Sequence, residues 1–339
     1  MKNTQFTIEL VYNSNGNDKE YFRNEYTYHK RKNISYKDLI TFTESKIIIT
    51  GKRSKQSALN LTMDSSLYKE LWKCCIFAYL SHGVPFKDIK LIASYGKNIN
   101  IDIGFEKLDF QYYSKHLDPS LLIKQDQLKI LFDYTYGDKL LISFTEFILG
   151  LNSSCEEIND YWKAFDSFYK VTTFEARDSE ALKKINQEIV KSFTDKSIPC
   201  EYILAHEDIV NSKIDIYYYF SHKRLPKAKK INHLKSIKTK YNDKILNQKI
   251  DYFLSEKFDI KEQAKSTVDN NLVKRLSFLV TDYIYLKRCG YFHGGEASPT
   301  FMLKGNNRIE ENKIFNELIK LTLVELYNNT TLISNLLNQ

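Results

Sequence analysis

The chain has 339 residues, more than one typical hydrophobic core holds, so two domains are expected. Hydrophobic residues make up 42% of the chain and charged residues 27%, with only 11 Gly and 5 Pro, and this composition excludes a largely disordered protein. The net charge of +8 permits an anionic partner without requiring one.

The cysteine pattern indicates a reducing compartment. The five cysteines are Cys74, Cys75, Cys155, Cys200 and Cys289. Their number is odd, two are adjacent and no Cys-x-x-Cys occurs, so they match neither a disulfide framework nor a zinc ribbon. The N-terminal residues lack the apolar core of a signal peptide, and no stretch approaches about 18 uncharged apolar residues. We therefore expect a cytoplasmic protein with no membrane contact.

The first third of the chain is predicted to be mostly strand. Phe6, Ile8 and Leu10 alternate with polar residues, as a half-buried strand requires. A helix is predicted from Ser66 to Ser81, because apolar residues recur on one face and Gly83 follows. Further strand-like runs lie at 46–50, 59–63, 89–94, 99–103 and 128–134. We expect a mixed, β-rich domain over residues 1–140.

From about Ser143 the apolar residues repeat with a helical period. The apolar stripes run through 158–169, 182–193, 272–286 and 314–326. Several amphipathic helices in one segment predict a bundle, in which each stripe is buried against the others. The predicted class is therefore α+β: a mixed β-rich N-terminal domain, then an all-α helical bundle over 141–339. The aromatic residues of the stripes are assigned to its core.

Positive charge is concentrated in residues 221–242, which include no acidic residue. Several lysines together can displace condensed counterions from phosphates, so a nucleic acid is the natural candidate for an anionic partner. The alternative is a solvated surface without a ligand. The residues predicted to bind substrate here are Lys223, Arg224, Lys227, Lys229 and Lys230.

A candidate catalytic pair, Arg288 and His293, lies where the third helical stripe ends. Residues 287–295 read Lys-Arg-Cys-Gly-Tyr-Phe-His-Gly-Gly, and Gly294 has the position of a glycine that ends a helix. On an ideal helix the two side chains are about 140° apart. They meet only if the helix loosens between them or if a second copy of the motif faces the first.

Arginine and histidine together suit RNA cleavage without a metal. The ribose 2′-OH is the nucleophile, and a histidine with a near-neutral pKa can take or give its proton. A guanidinium can hold two phosphate oxygens and offset the charge that develops in the transition state.

The whole arrangement resembles the HEPN superfamily, small helical domains with an Arg-x4–6-His motif that act as metal-independent RNases. The resemblance covers about residues 150–339. It includes the aromatic segment 160–169, the motif Arg288…His293 and a closing helix from about Glu310.

The resemblance implies that Arg288 and His293 are the catalytic pair, and that two protomers bring two motifs into one cleft. Cys289 stands where the family often has Asn. A mostly β region before such a domain looks like stand-alone anti-phage abortive-infection proteins. That likeness implies a defence or toxin role, with a phage-derived trigger or an antitoxin as a further partner.

Other roles for residues near the motif stay open. Tyr291 is predicted to bond a phosphate or stack on a base, with core packing or a dimer contact as the alternative. Cys289 and His293 have the i, i+4 spacing of a metal pair, but no second pair is visible, so neither metal nor cofactor is expected. Cys289 is either a nucleophile or a half-buried thiol. Asp166 either orients Arg288 or lies on the surface as a solvated carboxylate.

These observations together predict a homodimeric endoribonuclease restrained by its N-terminal domain. The alternative is a non-catalytic module that binds RNA or protein, in which the motif only supports the fold.

Overall fold

The computed structural model describes residues 4–31, 34–155, 157, 159–223, 225–260, 268–292 and 306–338. It divides into two compact units, the first made of Met1–Asn152 and Thr331–Gln339 and the second of Ser153–Thr330. The α+β class predicted from the sequence is confirmed, since a six-stranded antiparallel sheet precedes a long series of helices. The two units differ in two places from the expected domains 1–140 and 141–339. Residues up to 152 and the last nine residues belong to the first unit.

The sheet of the first unit is antiparallel throughout, with the described strands in the order β2-β3-β4-β1-β5-β6. On β1, Phe6, Ile8 and Leu10 are buried, which confirms the predicted alternation. Ile8 lies opposite Ile49 of β4 on one side and Ala93 of β5 on the other. The strands are β1 (Thr4–Val11), β2 (Glu20–Arg31), β3 (Ile34–Thr43), β4 (Lys46–Arg53), β5 (Lys90–Tyr95) and β6 (Asn98–Ile99).

The described helices of the first unit include two long ones and two short ones. They are α1 (Ser66–His82), α2 (Gln125–Leu128), α3 (Gly137–Leu151) and, from the end of the chain, α14 (Leu332–Leu337). Helix α1 confirms its prediction. It begins where the Ser65 hydroxyl accepts a hydrogen bond from the Tyr68 N–H at 3.0 Å, and it ends at Gly83, whose φ is 67°. Its Phe77 ring packs on Phe42 of β3, with centroids 4.7 Å apart.

Three strand predictions in this unit are wrong in whole or in part. Residues 128–134 form the end of α2 and a 3-10 turn over Lys129–Phe132, because a short apolar run buried on every side fits a helical turn as well as a strand. Leu59 and Leu61 are buried as expected, but they follow a 3-10 turn over Gln56–Ala58 instead of pairing in the sheet. The run at 99–103 is a strand only at its first residue.

A group of ionisable side chains is buried between the sheet and α1. The Arg53 guanidinium pairs with Asp38, and one of its hydrogen bonds is 2.7 Å long. Glu70 of α1 is fully buried, and its pKa is raised well above its ordinary value, first by burial and then by the neighbouring Asp38. Lys73, one turn further along α1, pairs with Asp138 at 2.6 Å.

The second unit is helical along its described length. Its helices are α4 (Trp162–Thr173), α5 (Asp178–Ser192), α6 (Ile198–Ala205), α7 (Glu207–Ser212), α8 (Ile216–His222), α9 (Lys227–Tyr241), α10 (Lys244–Phe258), α11 (Leu272–Phe278), α12 (Ile284–Phe292) and α13 (Asn306–Asn329). A π-helical turn over Leu279–Tyr283 joins α11 to α12.

The aromatic stripe of α4 is part of the core, as the sequence predicts. Trp162, Phe165, Phe168 and Tyr169 are each at most 1% exposed. The Phe168 ring meets Tyr327 of α13 edge-on, with centroids 5.1 Å apart. Helix α4 is therefore held against the long closing helix, and both position the region around α12.

Candidate functional site

Arg288 lies on α12, one turn beyond a break in regular helical geometry. The π-helical turn over Leu279–Tyr283 carries an extra residue, which widens the helix and rotates every later side chain relative to a regular helix. Turns of this kind occur often at functional sites. The sequence pattern treats 272–286 as one regular stripe and gives no sign of the turn.

The Arg288 side chain is half-buried against α4. Its guanidinium carbon lies 6.0 Å from the centroid of the Trp162 ring, and the Tyr285 ring lies 6.0 Å from the same ring. Burial raises the pKa of Tyr285 to about 12, Cys289 adds to this rise, and Arg288 opposes it. The Arg288 cluster is therefore made of two aromatic rings, a cation and a thiol, from Trp162, Tyr285, Arg288 and Cys289.

The neighbouring Lys287 has a different role, although it too is basic. It is 7% exposed and its ammonium lies 3.1 Å from a Glu311 carboxylate oxygen on α13. The same ammonium lies 3.7 Å from the centroid of the Tyr218 ring on α8. Lys287 thus anchors α12 between two other helices, while Arg288 contacts the aromatic wall of α4.

The second member of the predicted catalytic pair, His293, lies outside the described residues. So do Arg224 and the side chain of Tyr291, although the backbone of Tyr291 is part of α12. The predicted roles of these three residues stay predictions.

Lys223 directly follows α8, and its ammonium lies 5.0 Å from the centroid of the Tyr219 ring. Burial lowers the pKa of Lys223, and Asp282 opposes this shift. Lys223 thus packs on an aromatic side chain of α8.

The other predicted substrate-binding lysines lie at the start of α9. Lys227 and Lys229 are exposed, and the Lys227 ammonium lies 4.7 Å from the centroid of the Phe258 ring. Lys230 lies over Phe220 at 5.2 Å and donates a hydrogen bond to the Ser221 carbonyl. This end of α9 carries positive charge on an aromatic support.

The far end of α9 is partly neutralised. Lys238 pairs with Asp251 of α10, and Lys240 lies 3.5 Å from Asp282 in the π-helical turn. The basic segment therefore does not act as one uniformly charged surface. Its charge is most accessible at the first turn of α9.

Sequence reasoning missed two groups of hydrogen bonds that involve α9. In the first, the Tyr219 hydroxyl and His233 Nε2 are 3.0 Å apart, and burial together with Lys223 lowers the pKa of His233. In the second, the Tyr241 hydroxyl donates to Asp282 and accepts from Lys240 at 2.5 Å. The first group joins α8 to α9, and the second joins α9 to the π-helical turn. His233 was visible in the sequence only as one more residue of a basic segment.

The second of these groups, around Tyr241, is continued by α5. The Asn186 side-chain amide donates to the Tyr241 hydroxyl and to the Thr281 hydroxyl, each at 3.0 Å. Asn186 is buried, so its hydrogen bond to Thr281 stabilises the π-helical turn.

The sequence left more than one role open for Asp166 and for Cys289. Asp166 accepts hydrogen bonds from Tyr169 at 2.5 Å and from Lys170 at 2.8 Å. Cys289 is half-buried and is not in a disulfide. Among the described residues, no three His, Cys, Asp or Glu side chains are grouped so that they could hold a metal ion.

Comparisons with protein-family models, with curated proteins and with solved structures found no match. Within the described ranges, no helix has both the length and the apolar character needed to cross a membrane.

Proposed function

We propose that the second unit is a metal-independent endoribonuclease of the HEPN type, acting in the cytoplasm. One observation carries the proposal. Two parts of the resemblance to this superfamily, the aromatic segment 160–169 and Arg288 of the motif, come together where the Arg288 guanidinium carbon lies 6.0 Å from the centroid of the Trp162 ring. The distance between them in the sequence does not by itself require this contact.

The proposed reaction uses the substrate's own nucleophile. The ribose 2′-OH attacks the adjacent phosphorus, the bond from phosphorus to the 5′ oxygen breaks, and the products carry a 2′,3′-cyclic phosphate and a 5′-OH. His293 accepts the proton of the 2′-OH or donates one to the leaving oxygen. Arg288 binds the phosphate oxygens and stabilises their developing charge.

The basic residues would hold the RNA beside this pair. Lys223 follows α8, which contacts α12 where Lys287 lies over Tyr218, and Lys227, Lys229 and Lys230 continue the positive charge onto α9. Arg224 and Tyr291 are proposed to contact the same RNA. The proposed chemistry uses no cofactor.

An unrestrained RNase would be lethal to the cell that makes it, so its activity must be controlled. We propose that two copies of the chain form the active cleft and that the first unit acts as a sensor or regulator. A phage-derived trigger would release the activity, or an antitoxin would restrain it. The setting is then anti-phage defence or a toxin system.

The alternative function is a non-catalytic module that binds RNA or protein. The half-buried position of Arg288 beside Trp162 favours it, because a guanidinium packed on an indole stabilises a bundle whether or not a substrate is present.

The deciding experiment is RNA cleavage in EDTA by the full chain, with total RNA and tRNA as substrates. We compare the wild type with Arg288→Ala, His293→Ala and the control Lys191→Ala, whose side chain is exposed on α5. We expect the wild type and the control to leave cyclic-phosphate ends. Each of the two site variants should be slower by at least about 100-fold.

The other outcomes separate the candidate functions. Equal cleavage by all four proteins would mean that the site is wrong. A wild type that binds RNA but does not cleave it, even with an extract of phage-infected cells, would support the binding module.

A further inference from the structure

The first unit holds a cavity of about 290 Å³ between α1, α3 and the segment 108–113. Most of its walls are apolar, and its volume is at the lower end of the range for small-molecule sites. Aromatic residues dominate these walls: Tyr68, Trp72, Phe110, Tyr112 and Tyr113. The RNase site of the second unit does not use this cavity.

The cavity follows from the spacing of residues on the two helices. Tyr68 and Trp72 are four residues apart on α1, so they lie on the same face of that helix. On α3, Thr145 and Leu149 have the same spacing and line the opposite wall. The third wall, the segment 108–113, is irregular apart from a 3-10 turn at its end.

Hydrogen bonds hold the third wall in place. The Asn152 side-chain amide donates to the Tyr112 carbonyl at 3.2 Å, and the Phe86 N–H donates to the Tyr113 carbonyl at 2.8 Å. The cavity is therefore preformed, and a ligand would not have to order its walls.

The rings that line the cavity include two tilted pairs. The Tyr68 and Trp72 centroids are 6.0 Å apart with the ring planes tilted by 53°, and those of Phe110 and Tyr113 are 6.5 Å apart with a tilt of 51°. An aromatic ring attracts an organic cation that lies over its face.

A single charged residue contributes to the lining. Of the residues that line the cavity, all of them described, only Asp109 carries a charge. Its two carboxylate oxygens accept hydrogen bonds from the Gln111 N–H at 2.9 Å and from the Gln111 side-chain amide at 2.7 Å. Asp109 is exposed, and these two bonds orient its carboxylate while leaving it further acceptor positions.

We propose that this cavity binds a small organic cation whose charge is shielded by alkyl groups, such as a quaternary ammonium, with the aromatic rings around it and Asp109 as counter-ion. A metal ion does not fit, because a mostly apolar lining cannot replace the oxygen ligands that a hard cation needs. An anionic ligand does not fit either, because the only charge in the lining is negative.

The test compares cationic probes with a neutral probe of the same shape. Isothermal titration calorimetry on the full chain uses choline, benzyltrimethylammonium and 3,3-dimethylbutan-1-ol, the uncharged isostere of choline. We expect saturable binding of at least one cation, tighter by about tenfold or more than the binding of the isostere.

Two variants assign the binding to this cavity. Asp109→Asn keeps an acceptor for the Gln111 N–H and removes the charge, so it should weaken the cation about fivefold or more and leave the isostere unchanged. Tyr112→Leu removes a ring whose residue is 37% exposed, so the fold should persist while cation binding weakens. Tyr252→Leu, at a residue 71% exposed in the second unit, is the control and should change nothing.

Two results would overturn the proposal. One is binding of the isostere as tight as that of choline, which would make the cavity a purely apolar site. The other is the absence of saturable binding of either cation at millimolar concentration.

Discussion

The Arg275 guanidinium donates two parallel hydrogen bonds to the Asp243 carboxylate, each 3.0 Å long, and both side chains are completely buried. Asp243 also caps α10, since it accepts a hydrogen bond from the Leu246 N–H at 2.9 Å. A third guanidinium hydrogen bond reaches Glu207 of α7. Through these two ion pairs the Arg275 guanidinium connects α11 with α7 and with the start of α10.

Loss of the carboxylate at this pair should destabilise the second unit strongly. In Asp243→Ala the arginine keeps its charge but loses its main partner in a water-free environment, so the free energy of unfolding should fall by about 3–5 kcal/mol. Urea denaturation followed by circular dichroism measures it. The control is Asp251→Ala, whose partly exposed pair with Lys238 should contribute at most about 1 kcal/mol. Equal losses in both variants would contradict the proposed importance of burial.

The buried Glu70 should make the first unit less stable as the pH rises. Burial and Asp38 raise its folded-state pKa, against the opposing effect of Arg53 and Lys73. The folded state therefore binds a proton that the unfolded state has released. The stabilising contribution is complete below the unfolded pKa and is lost as the pH rises towards the folded pKa.

Glu70→Gln removes this titration while keeping the shape of the side chain. Relative to wild type, the variant should gain up to about 1.4 kcal/mol per pH unit above the ordinary carboxyl range. Hydrogen exchange of the sheet amides at pH 5 and pH 8 reports the stability of this unit. Glu106→Gln, at an exposed position, should show no such trend. A difference between Glu70→Gln and wild type that does not change with pH would refute the expectation.

Gly51 should not tolerate a larger residue. A Cβ atom there would lie 1.8 Å from the Asp38 carboxylate oxygen and 2.8 Å from the Phe6 ring. Gly51→Ala must displace the carboxylate that pairs with Arg53, so we expect a loss of at least about 2 kcal/mol in the free energy of unfolding. Lys52→Ala, at the exposed neighbouring position, should be near neutral. A Gly51→Ala protein as stable as Lys52→Ala would show that the strand shifts at little cost.

RNA affinity should depend on salt through the first turn of α9. If Lys229 contacts a phosphate, Lys229→Ala should weaken binding at low salt and reduce the slope of log K against log salt by about 0.7. Lys238→Ala should leave the slope unchanged, because Asp251 already neutralises that lysine. Fluorescence anisotropy of a labelled single-stranded RNA across a salt series measures both. Identical slopes in the two variants would exclude a special role for the first turn.

The elements that the sequence predicted correctly are those whose signals are local. The alternation through Phe6 and Ile8, the helix that Gly83 ends and the aromatic stripe around Trp162 each need only a few neighbouring residues to interpret. The strand predicted at 128–134 was wrong because the identity of an all-apolar run is decided by its distant packing partners.

The candidate site was only half predictable for a similar reason. Arg288 is marked by its motif, and the lysines of α9 are marked by their number. Which of those lysines are neutralised depends on Asp251 and Asp282, which come from other helices. The hydrogen bond between Tyr219 and His233 likewise depends on how α8 meets α9, and no sequence pattern encodes that meeting.

The first unit is discontinuous along the chain, and this has a consequence for its synthesis. Ile333 and Leu336 of α14 are buried in it, although they follow the whole second unit in sequence. A ribosome that has made the sheet and helices α1 to α3 must still translate all of residues 153–330 before these two side chains exist. The N-terminal unit therefore completes its core last, after the segment with the proposed nuclease site has already emerged.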